Sequence, residues 1–286
     1  MTNRSNLRAT IEGISTLPTL PAVIDRISRL LENPRTSAEE IGRAITVDQS
    51  LASKVLKLVN SAFYGFPGRI STITHAIVIL GFSTVKNIVL TASIFDAFRK
   101  RGAQQPGFNM EEFWFHSIAC GAASQSIARH VGFEEKEACF IAGLIHDIGK
   151  IIEARYLPKE FAEIVKTTQE KEILFYESEK QLFDLTHEEI GGILAERWNL
   201  PQNLRQAVVH HHAPVPNRDH YMVSAVVQCA DVFVRAMDYG NGGDQRIPEI
   251  SPQVWKDVGL ENTVLPSLLD NIADEIDKAT VFMQMV

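Results

Sequence analysis

The feature that most constrains this chain is a helical spacing of apolar residues that recurs along most of its length. Ile24, Ile27, Leu30 and Leu31 stand at positions i, i+3, i+6 and i+7, on one face of a helix that opens near Pro21. No alternating run that would predict a strand interrupts this pattern in the N-terminal third of the chain. The pattern therefore predicts an all-α protein with an irregular multi-helix fold, rather than an up-and-down bundle.

Capping signals indicate where individual helices begin and end. Ser37, Asn109 and Thr186 are each followed three residues later by a glutamate, which is the capping-box pattern. Asp48 predicts the N-cap of another helix, and Gly81 predicts a helix end. With the apolar spacing, these signals predict further helices over residues 48–60, 73–81, 83–98, 109–130, 134–148, 159–168, 171–183, 186–198, 201–213, 219–238 and 265–283.

A polar stretch at residues 100–107 contains two glycines and a proline, and it predicts a boundary between two packed helical subdomains. A second break, rich in glycine, lies at residues 240–243. We therefore expect four parts: an N-terminal tail at 1–13, an N-terminal helical subdomain at 14–104, a second helical subdomain at 105–240 and a C-terminal helical extension at 241–286.

Composition and charge argue against several classes of protein. The net charge is −7 and there is no long basic run, so nucleic-acid binding through a broad positive face is disfavoured. Cys120, Cys139 and Cys229 lie in apolar helical contexts without a CxxC spacing, which is typical of buried thiols in a reducing compartment. The polar N-terminus does not read as a secretory signal and no apolar run is long enough to span a membrane, so we expect a cytoplasmic protein.

Histidines and aspartates gather in the C-terminal half in a pattern that suits metal ions. His146–Asp147 is expected at a helix end because Gly149 follows, and adjacent side chains can reach one pocket there. The two oxygens of Asp147 could each bind one ion, and imidazole and carboxylate are natural ligands of Fe, Mn, Zn, Ni and Co. Three consecutive histidines at 210–212 also end a helix, where the helix dipole favours a cation.

Each of these residues has a purely structural alternative. A lone histidine on an apolar helix, such as His116, is usually a hydrogen-bonded core residue. His187 begins a capped helix and would then be a surface histidine, and the three consecutive histidines would be a solvated helix end. Asp231 lies among apolar residues and needs a partner if it is buried, either a metal ion or Arg235 one turn later.

The order of these residues resembles a known pattern. His116, His146–Asp147, His187, His211–His212 and Asp231 follow one another as H, HD, H, HH and D, within the local strings LIHDIGK, HEEIG and ADVF. This ordered set is similar to the HD superfamily of metal-dependent phosphohydrolases, and it is closest to the HD-GYP type of phosphodiesterase.

The N-terminal half resembles a narrower family. LPTLP from residue 17, DQSL from residue 48, VLKLVNSAFY from residue 55 and AIVILG from residue 76 are similar to segments of HDOD domains. The resemblance covers residues 14–235 and implies a bacterial signal-transduction protein of HDOD type, with residues 105–240 as its HD-like metal-binding part. HDOD domains occur alone or joined to other signalling domains, and many have lost metal ligands that this chain retains.

Carried over by position, the resemblance implies a dinuclear centre with two divalent transition-metal ions, Fe or Mn in the first place and Zn, Ni or Co as alternatives. One ion would be held by His116, His146, Asp147 and Asp231, and the other by Asp147 as a bridge with His187, His211 and His212. Lys150 matches a lysine near the substrate phosphate of HD-type enzymes, and its alternative is a solvated cation at a helix end. Glu112 matches a ligand to a third ion in some HD-GYP enzymes, but its capping role is the better explanation.

Two functions stay open. One is a metal-dependent phosphohydrolase or phosphodiesterase acting on a nucleotide or cyclic dinucleotide, in which Asp147 positions both ions and Lys150 stabilises phosphate charge. The other is a metal-binding signalling module that a signalling protein partner reads. The second is favoured because the Gly-Tyr-Pro motif of HD-GYP enzymes is absent after His211–His212, where the chain continues APVPNRDH. Neither nucleic acid nor membrane is expected as a partner.

Overall fold

The computed structural model describes residues 2–285, apart from 21, 32, 34, 100–104 and 217. The predicted all-α fold is confirmed, because these residues form helices and no β-sheet, with one isolated bridge between Gln105 and Phe108. The predicted helix start at Pro21 and most of the boundary at 100–107 lie outside the described residues. The helices are α1 (Thr2–Gly13), α2 (Ala22–Leu31), α3 (Ala38–Thr46), α4 (Gln49–Val59), α5 (Ile73–Leu80), α6 (Phe82–Arg99), α7 (Met110–His130), α8 (Lys136–Ile145), α9 (Ile148–Tyr156), α10 (Pro158–Lys171), α11 (Phe175–Leu182), α12 (His187–Arg197), α13 (Gln202–His210), α14 (Tyr221–Ala236), α15 (Pro252–Val258), α16 (Leu265–Ala279) and a final 3-10 helix (Thr280–Met285).

The chain divides into two compact units. The smaller unit comprises Pro18–Arg101 and Asp277–Val286, and the larger comprises Met1–Leu17 and Gly102–Ile276. In the smaller unit, α3 to α6 pack their apolar faces together, and Phe63 meets Phe282 edge-on with ring centroids 5.3 Å apart. This packing buries Ile41 and Ile45 of α3 and Leu51, Val55 and Leu58 of α4.

The capping signals correctly mark the ends of several helices. Ser37 accepts a hydrogen bond from the backbone N–H of Glu40, whose carboxylate accepts one from the N–H of Ser37, so this capping box is confirmed. Asp48 caps α4 by accepting from the N–H of Leu51 at 3.0 Å. Gly81 ends α5 with a positive φ of 84°, a conformation that favours glycine.

The larger unit is built around α7, which is buried over almost its whole length and packs against α8 and α14. Small residues allow α7 and α8 to approach closely. A Cβ added to Gly121 of α7 would lie 2.9 Å from the carbonyl oxygen of Phe140, and one added to Gly143 of α8 would lie 2.5 Å from that of Cys120. The close approach brings α7, which carries His116, next to the end of α8, where His146 lies.

The structure differs from the predicted helices in a few places. The helix predicted over 134–148 ends at Ile145, and α9 begins at Ile148, where no helix was predicted. The segment 171–183, predicted as one helix, holds the end of α10 and the shorter helix α11. The stretch predicted as an N-terminal tail holds α1, and α15 was also missed. Within the described residues, no helix is both long enough and apolar enough to cross a membrane.

Candidate metal centre

His146–Asp147 occupies the junction between α8 and α9. His146 is the C-cap of α8 and Asp147 is the N-cap of α9, so the two side chains leave the chain where it changes direction. Both are fully buried, and Nε2 of His146 lies 3.3 Å from Oδ2 of Asp147. The prediction that this pair stands at a helix end is correct, but the reason given for it, that Gly149 ends the helix, is wrong.

Gly149 does not end a helix but lies inside α9, where it allows contact with α12. A Cβ at Gly149 would lie 2.0 Å from the carbonyl oxygen of His187, so only glycine fits. This contact brings Nε2 of His187 to within 3.1 Å of Oδ1 of Asp147. His187 is fully buried, so its alternative as a surface histidine is wrong. The predicted cap of α12 is confirmed, because Thr186 donates its backbone N–H to Glu189.

The three consecutive histidines divide at the end of α13. His211 is buried, with Nε2 3.5 Å from Oδ1 of Asp147, and Nε2 of His212 lies 3.1 Å from Nε2 of His187. His210 instead contacts exposed Arg218. The alternative of a solvated helix end therefore fails for His211 and His212, which point into the same place as His187.

His116 and Asp231 approach the centre from α7 and α14. Oδ1 of Asp231 lies 3.1 Å from Nε2 of His116 and 3.9 Å from Nε2 of His146. The same oxygen accepts a hydrogen bond of 2.8 Å from Nε of Arg235, so the structural partner considered for Asp231 is present as well. A carboxylate has two oxygens and about four lone-pair sites, so Arg235 and a cation can both be accommodated.

The predicted ligands thus form two adjoining groups, whose ligand atoms lie within 4.8 Å of one another in each group. One group is His116, Cys120, His146 and Asp231; the other is Asp147, His187, His211 and His212. Asp147 faces both, because Oδ2 lies beside His146 and Oδ1 beside His187 and His211. Sequence reasoning gave Cys120 no role beyond that of a buried thiol, and it is buried as expected. Its Sγ lies 3.6 Å from Nε2 of His116.

The hydrogen bonds of the imidazoles direct lone pairs into the centre. Nδ1 of His146 lies 2.7 Å from the carbonyl oxygen of Gly143, and Nδ1 of His211 lies 3.0 Å from that of Val208. A carbonyl only accepts, so each Nδ1 carries a proton, and in the neutral form of each ring Nε2 carries a lone pair. Nε2 of His146 and Oδ1 of Asp147 are buried without a hydrogen bond. Lone pairs therefore face one another with too few protons between them, an arrangement that a cation stabilises and that fits a metal site.

Glu179 of α11 supports His187 from behind. Its carboxylate lies 2.8 Å from Nδ1 of His187 and accepts the backbone N–H of the same residue at 3.0 Å. A carboxylate behind a metal-binding histidine fixes the ring and its tautomer. Burial and the adjacent Glu153 raise the pKa of Glu179 well above its usual range, so the two carboxyl groups of Glu153 and Glu179 share a proton. Sequence reasoning missed Glu179, since nothing local distinguishes it from the exposed glutamates around it.

Burial keeps three of the histidines neutral, and charged neighbours keep the two aspartates ionised. Burial, helped by the charge of Lys150, lowers the pKa of His187 to about 3. Burial also lowers the pKa of His116 and of His212, so their nitrogens keep lone pairs at neutral pH. Burial opposes ionisation of Asp147, yet the neighbouring His146 and Lys150 hold its pKa well below the usual range. The pKa of His211 shifts the other way, because its hydrogen bond to Asp147 and the nearby carboxylates outweigh burial and raise it. The neutral imidazoles of His116, His187 and His212 beside ionised carboxylates are donors that suit a divalent transition metal.

Lys150 is fully buried, so its alternative as a solvated helix-end cation is wrong. Its Nζ donates to Oδ2 of Asp147 at 2.7 Å and to the carbonyl oxygen of Gly242 at 2.8 Å. It also lies 5.0 Å from the ring centroid of Phe175. Lys150 therefore places a positive charge at the edge of the two groups of candidate ligands. Glu112 belongs to neither group. The backbone N–H of Glu112 donates at 3.3 Å to the side chain of Asn109, which caps α7. Glu112 also borders a separate cavity.

Comparison with known proteins identifies the family to which this chain belongs. The family model for the HDOD domain matches residues 17–214, and the chain belongs to this family. An uncharacterized protein of Treponema pallidum (strain Nichols) is 27% identical over 250 residues. That match covers 86% of this chain and 48% of the relative, so this chain spans about half the length of the curated relative.

Solved structures show the same fold. An HDOD domain protein of unknown function from Geobacter sulfurreducens is 26% identical, with a TM-score of 0.82 over 98% of this chain and 97% of the other. A proposed phosphohydrolase from Shewanella amazonensis is 20% identical, with a TM-score of 0.74 over 100% of this chain and 99% of the other. A proposed signal transduction protein from Marinobacter aquaeolei is 21% identical, with a TM-score of 0.75 over 99% of this chain and 65% of the other. At these identities, the last two likenesses concern the fold alone.

Proposed function

We propose that this HDOD protein is a metal-binding signal-transduction module with a dinuclear His/Asp centre. The observation that carries the proposal is the convergence of imidazole nitrogens on the two oxygens of Asp147. Hydrogen bonds alone do not account for this arrangement, because Nε2 of His146 and Oδ1 of Asp147 are left without one. Two divalent cations, one beside each oxygen, would satisfy it.

The proposed ligands follow the two groups. His116, His146, Asp147 and Asp231 would hold one ion; Asp147, His187, His211 and His212 would hold the other. Mixed imidazole and carboxylate donors suit Fe or Mn, with Zn, Ni or Co as alternatives. The thiol of Cys120 lies in the first group, and burial raises its pKa well above the usual range, so the thiol is neutral before a metal ion binds.

A second candidate function is phosphoester hydrolysis, and the observation that favours it is the buried ammonium of Lys150. Two adjacent metal ions supply Lewis-acid activation and charge neutralisation for phosphoryl chemistry. In this chain Lys150 would hold an anionic phosphate oxygen by charge-assisted hydrogen bonding, and Asp147 would fix the spacing of the two sites. The phosphoester of a nucleotide or cyclic dinucleotide fits this chemistry.

Two observations make signalling the first choice. Most residues of the centre are closed off from solvent, with His116, His146, Asp147 and His187 all at 0% exposure and His212 half-buried, so in this conformation a substrate does not reach Asp147. The Gly-Tyr-Pro motif that would shape a cyclic di-GMP pocket is also absent after His211–His212. We therefore propose that the centre reports metal or ligand state to a signalling protein partner.

Electron paramagnetic resonance of metal-depleted protein reconstituted with Mn²⁺ tests the bridging geometry. Two ions sharing Asp147 give an exchange-coupled spectrum, and Asp147→Ala abolishes it while circular dichroism stays helical. An uncoupled spectrum, or no bound manganese, contradicts the dinuclear proposal. Incubating the same samples with bis(p-nitrophenyl) phosphate decides the second candidate: turnover that Lys150→Met removes without loss of metal supports hydrolysis, and its absence for nucleotides and cyclic dinucleotides as well excludes it.

A further inference from the structure

The segment after α14 lies directly on the centre. We call residues 240–246 the glycine loop. A Cβ at Gly242 would lie 3.2 Å from Oδ2 of Asp147 and 3.2 Å from Nε2 of His116. A Cβ at Gly240 would lie 2.5 Å from the backbone nitrogen of His116. The backbone of the loop therefore lies directly against His116 and Asp147, with no side chain at Gly240 or Gly242 between them.

The loop also contacts the ammonium group of Lys150. The carbonyl oxygen of Gly242 accepts a hydrogen bond from Nζ of Lys150 at 2.8 Å, and the only other hydrogen bond of that ammonium among the described residues goes to Asp147. An oxyanion that approaches Lys150 meets this carbonyl first. Gly242 thus stands where an anionic oxygen of a phosphoester would bind.

A buried ion pair fastens the loop. Oδ1 of Asp244 lies 2.8 Å from Nη1 of Arg235, with side-chain exposures of 3% and 6%, and Oδ2 accepts the backbone N–H of Phe175 at 3.0 Å. Nε of the same Arg235 binds Asp231, one of the proposed ligands, at 2.8 Å. The guanidinium of Arg235 therefore links Asp244 of the loop to the proposed ligand Asp231.

Open space lies on the outer side of the loop. A cavity of about 660 Å³ is bordered by Asn241, Gly243 and Gln245 on one side and by Thr168 and Gln169 of α10 on the other. The loop therefore has open space beside Asn241, Gly243 and Gln245. The three glycines of the loop, two of them with positive φ (70° at Gly240 and 116° at Gly243), lower the conformational cost of a movement.

We propose that the glycine loop is a lid on the metal centre, latched by the Arg235–Asp244 pair, and that it must lift before a phosphate-bearing ligand can reach Lys150. The metal-binding role rests on the proposed function, whereas the latch and its opening do not. A ligand oxyanion would replace the carbonyl of Gly242 at Lys150. Lifting the loop would also free Arg235 from Asp244, which gives the ligand a route to signal at the surface.

Hydrogen exchange of the full chain, followed by mass spectrometry, tests the lid with or without bound metal. In the wild type, a local opening predicts that the N–H of Asn241, which is bonded to the carbonyl of Glu112 at 3.1 Å, exchanges at least about tenfold faster than amides of α14. Asp244→Asn keeps the shape but weakens the latch, so it should speed exchange of the loop by about a further tenfold and leave α7 and α14 unchanged. Gln245→Ala, on the exposed part of the same loop, is the matched control and should match the wild type.

Each result decides the matter. Loop amides that exchange no faster than those of α14 in the wild type overturn the lid, because the loop then opens only when the unit unfolds. Equal loop exchange in Asp244→Asn and Gln245→Ala overturns the latch. Metal content measured on the same samples reports separately on the proposed function, so a metal-free protein whose loop still opens would refute the dinuclear centre and leave the lid standing.

Discussion

Replacing Gly149 with alanine tests whether contact between α9 and α12 positions the centre. The new Cβ would lie 2.0 Å from the carbonyl oxygen of His187 and 2.9 Å from the backbone nitrogen of Gly191, whereas such contacts are essentially never shorter than 3.0 Å. Both obstacles are backbone atoms that no rotamer change can move. The two helices must therefore separate by about 1 Å, which draws His187 away from Asp147.

The size of the effect follows from two opposing contributions. Overpacking against rigid atoms costs about 3 kcal/mol or more. Alanine in place of glycine inside a helix returns about 1 kcal/mol. We expect Gly149→Ala to lose at least about 2 kcal/mol of unfolding free energy, which lowers the melting temperature by about 4–8 °C in a domain of this size. The variant should also lose part of its metal.

Thermal unfolding followed by circular dichroism, with metal content measured on the same samples, is the assay. Gly192→Ala is the matched control on α12, because its Cβ would meet only a methyl group of Val209, at 2.7 Å, and a side chain can give way. We expect this control to melt close to the wild type. If Gly149→Ala melts as the control does and retains its metal, the reasoning that the α9–α12 contact fixes the site is wrong.

Three further outcomes are expected. Glu179→Gln should weaken metal binding by about 10–100-fold in a titration, because glutamine has one acceptor oxygen where Glu179 uses two, one for the backbone N–H and one for Nδ1 of His187. Glu177→Gln on the same helix should leave the affinity unchanged; equal affinities in the two variants would show that Glu179 does not orient His187. His210→Ala should keep the full metal content and His211→Ala should lose metal, since only the second points inward; equal loss in both would refute the division at the end of α13. Removing metal with a chelator should lower the melting temperature. Adding metal back to a free concentration of about 100 times its dissociation constant should restore about 2.7 kcal/mol of unfolding free energy. An unchanged melting temperature would mean that no ion binds the folded state.

Local sequence signals were sufficient where a helix depends on its own caps and spacing. Asp48 and Gly81 mark the ends of α4 and α5 correctly because capping involves only neighbouring residues. The pairing of Asp231 with Arg235 was also foreseeable, since residues four apart on a helix lie side by side. The order of histidines and aspartates indicated which residues would meet, through a family resemblance rather than through local physics.

Features that depend on distant partners could not be predicted. Gly149 reads locally as a helix end, yet its role is set by His187, which is far along the chain. Glu179 belongs to a polar helix, and its burial arises only when α11 packs beside the start of α12. Lys150 looked as much like a solvated cation as like a phosphate ligand until the glycine loop was seen to cover it.

Elemental analysis of protein purified without a histidine tag, wild type beside Asp147→Ala, tests the central claim most directly. Asp147 faces both groups, so its loss should disturb both ions. The account predicts about two transition-metal ions per folded wild-type chain, in accordance with the two donor groups, and loss of both from a variant that remains helical. A wild type that is folded and free of metal, or a variant that keeps both ions, would contradict it.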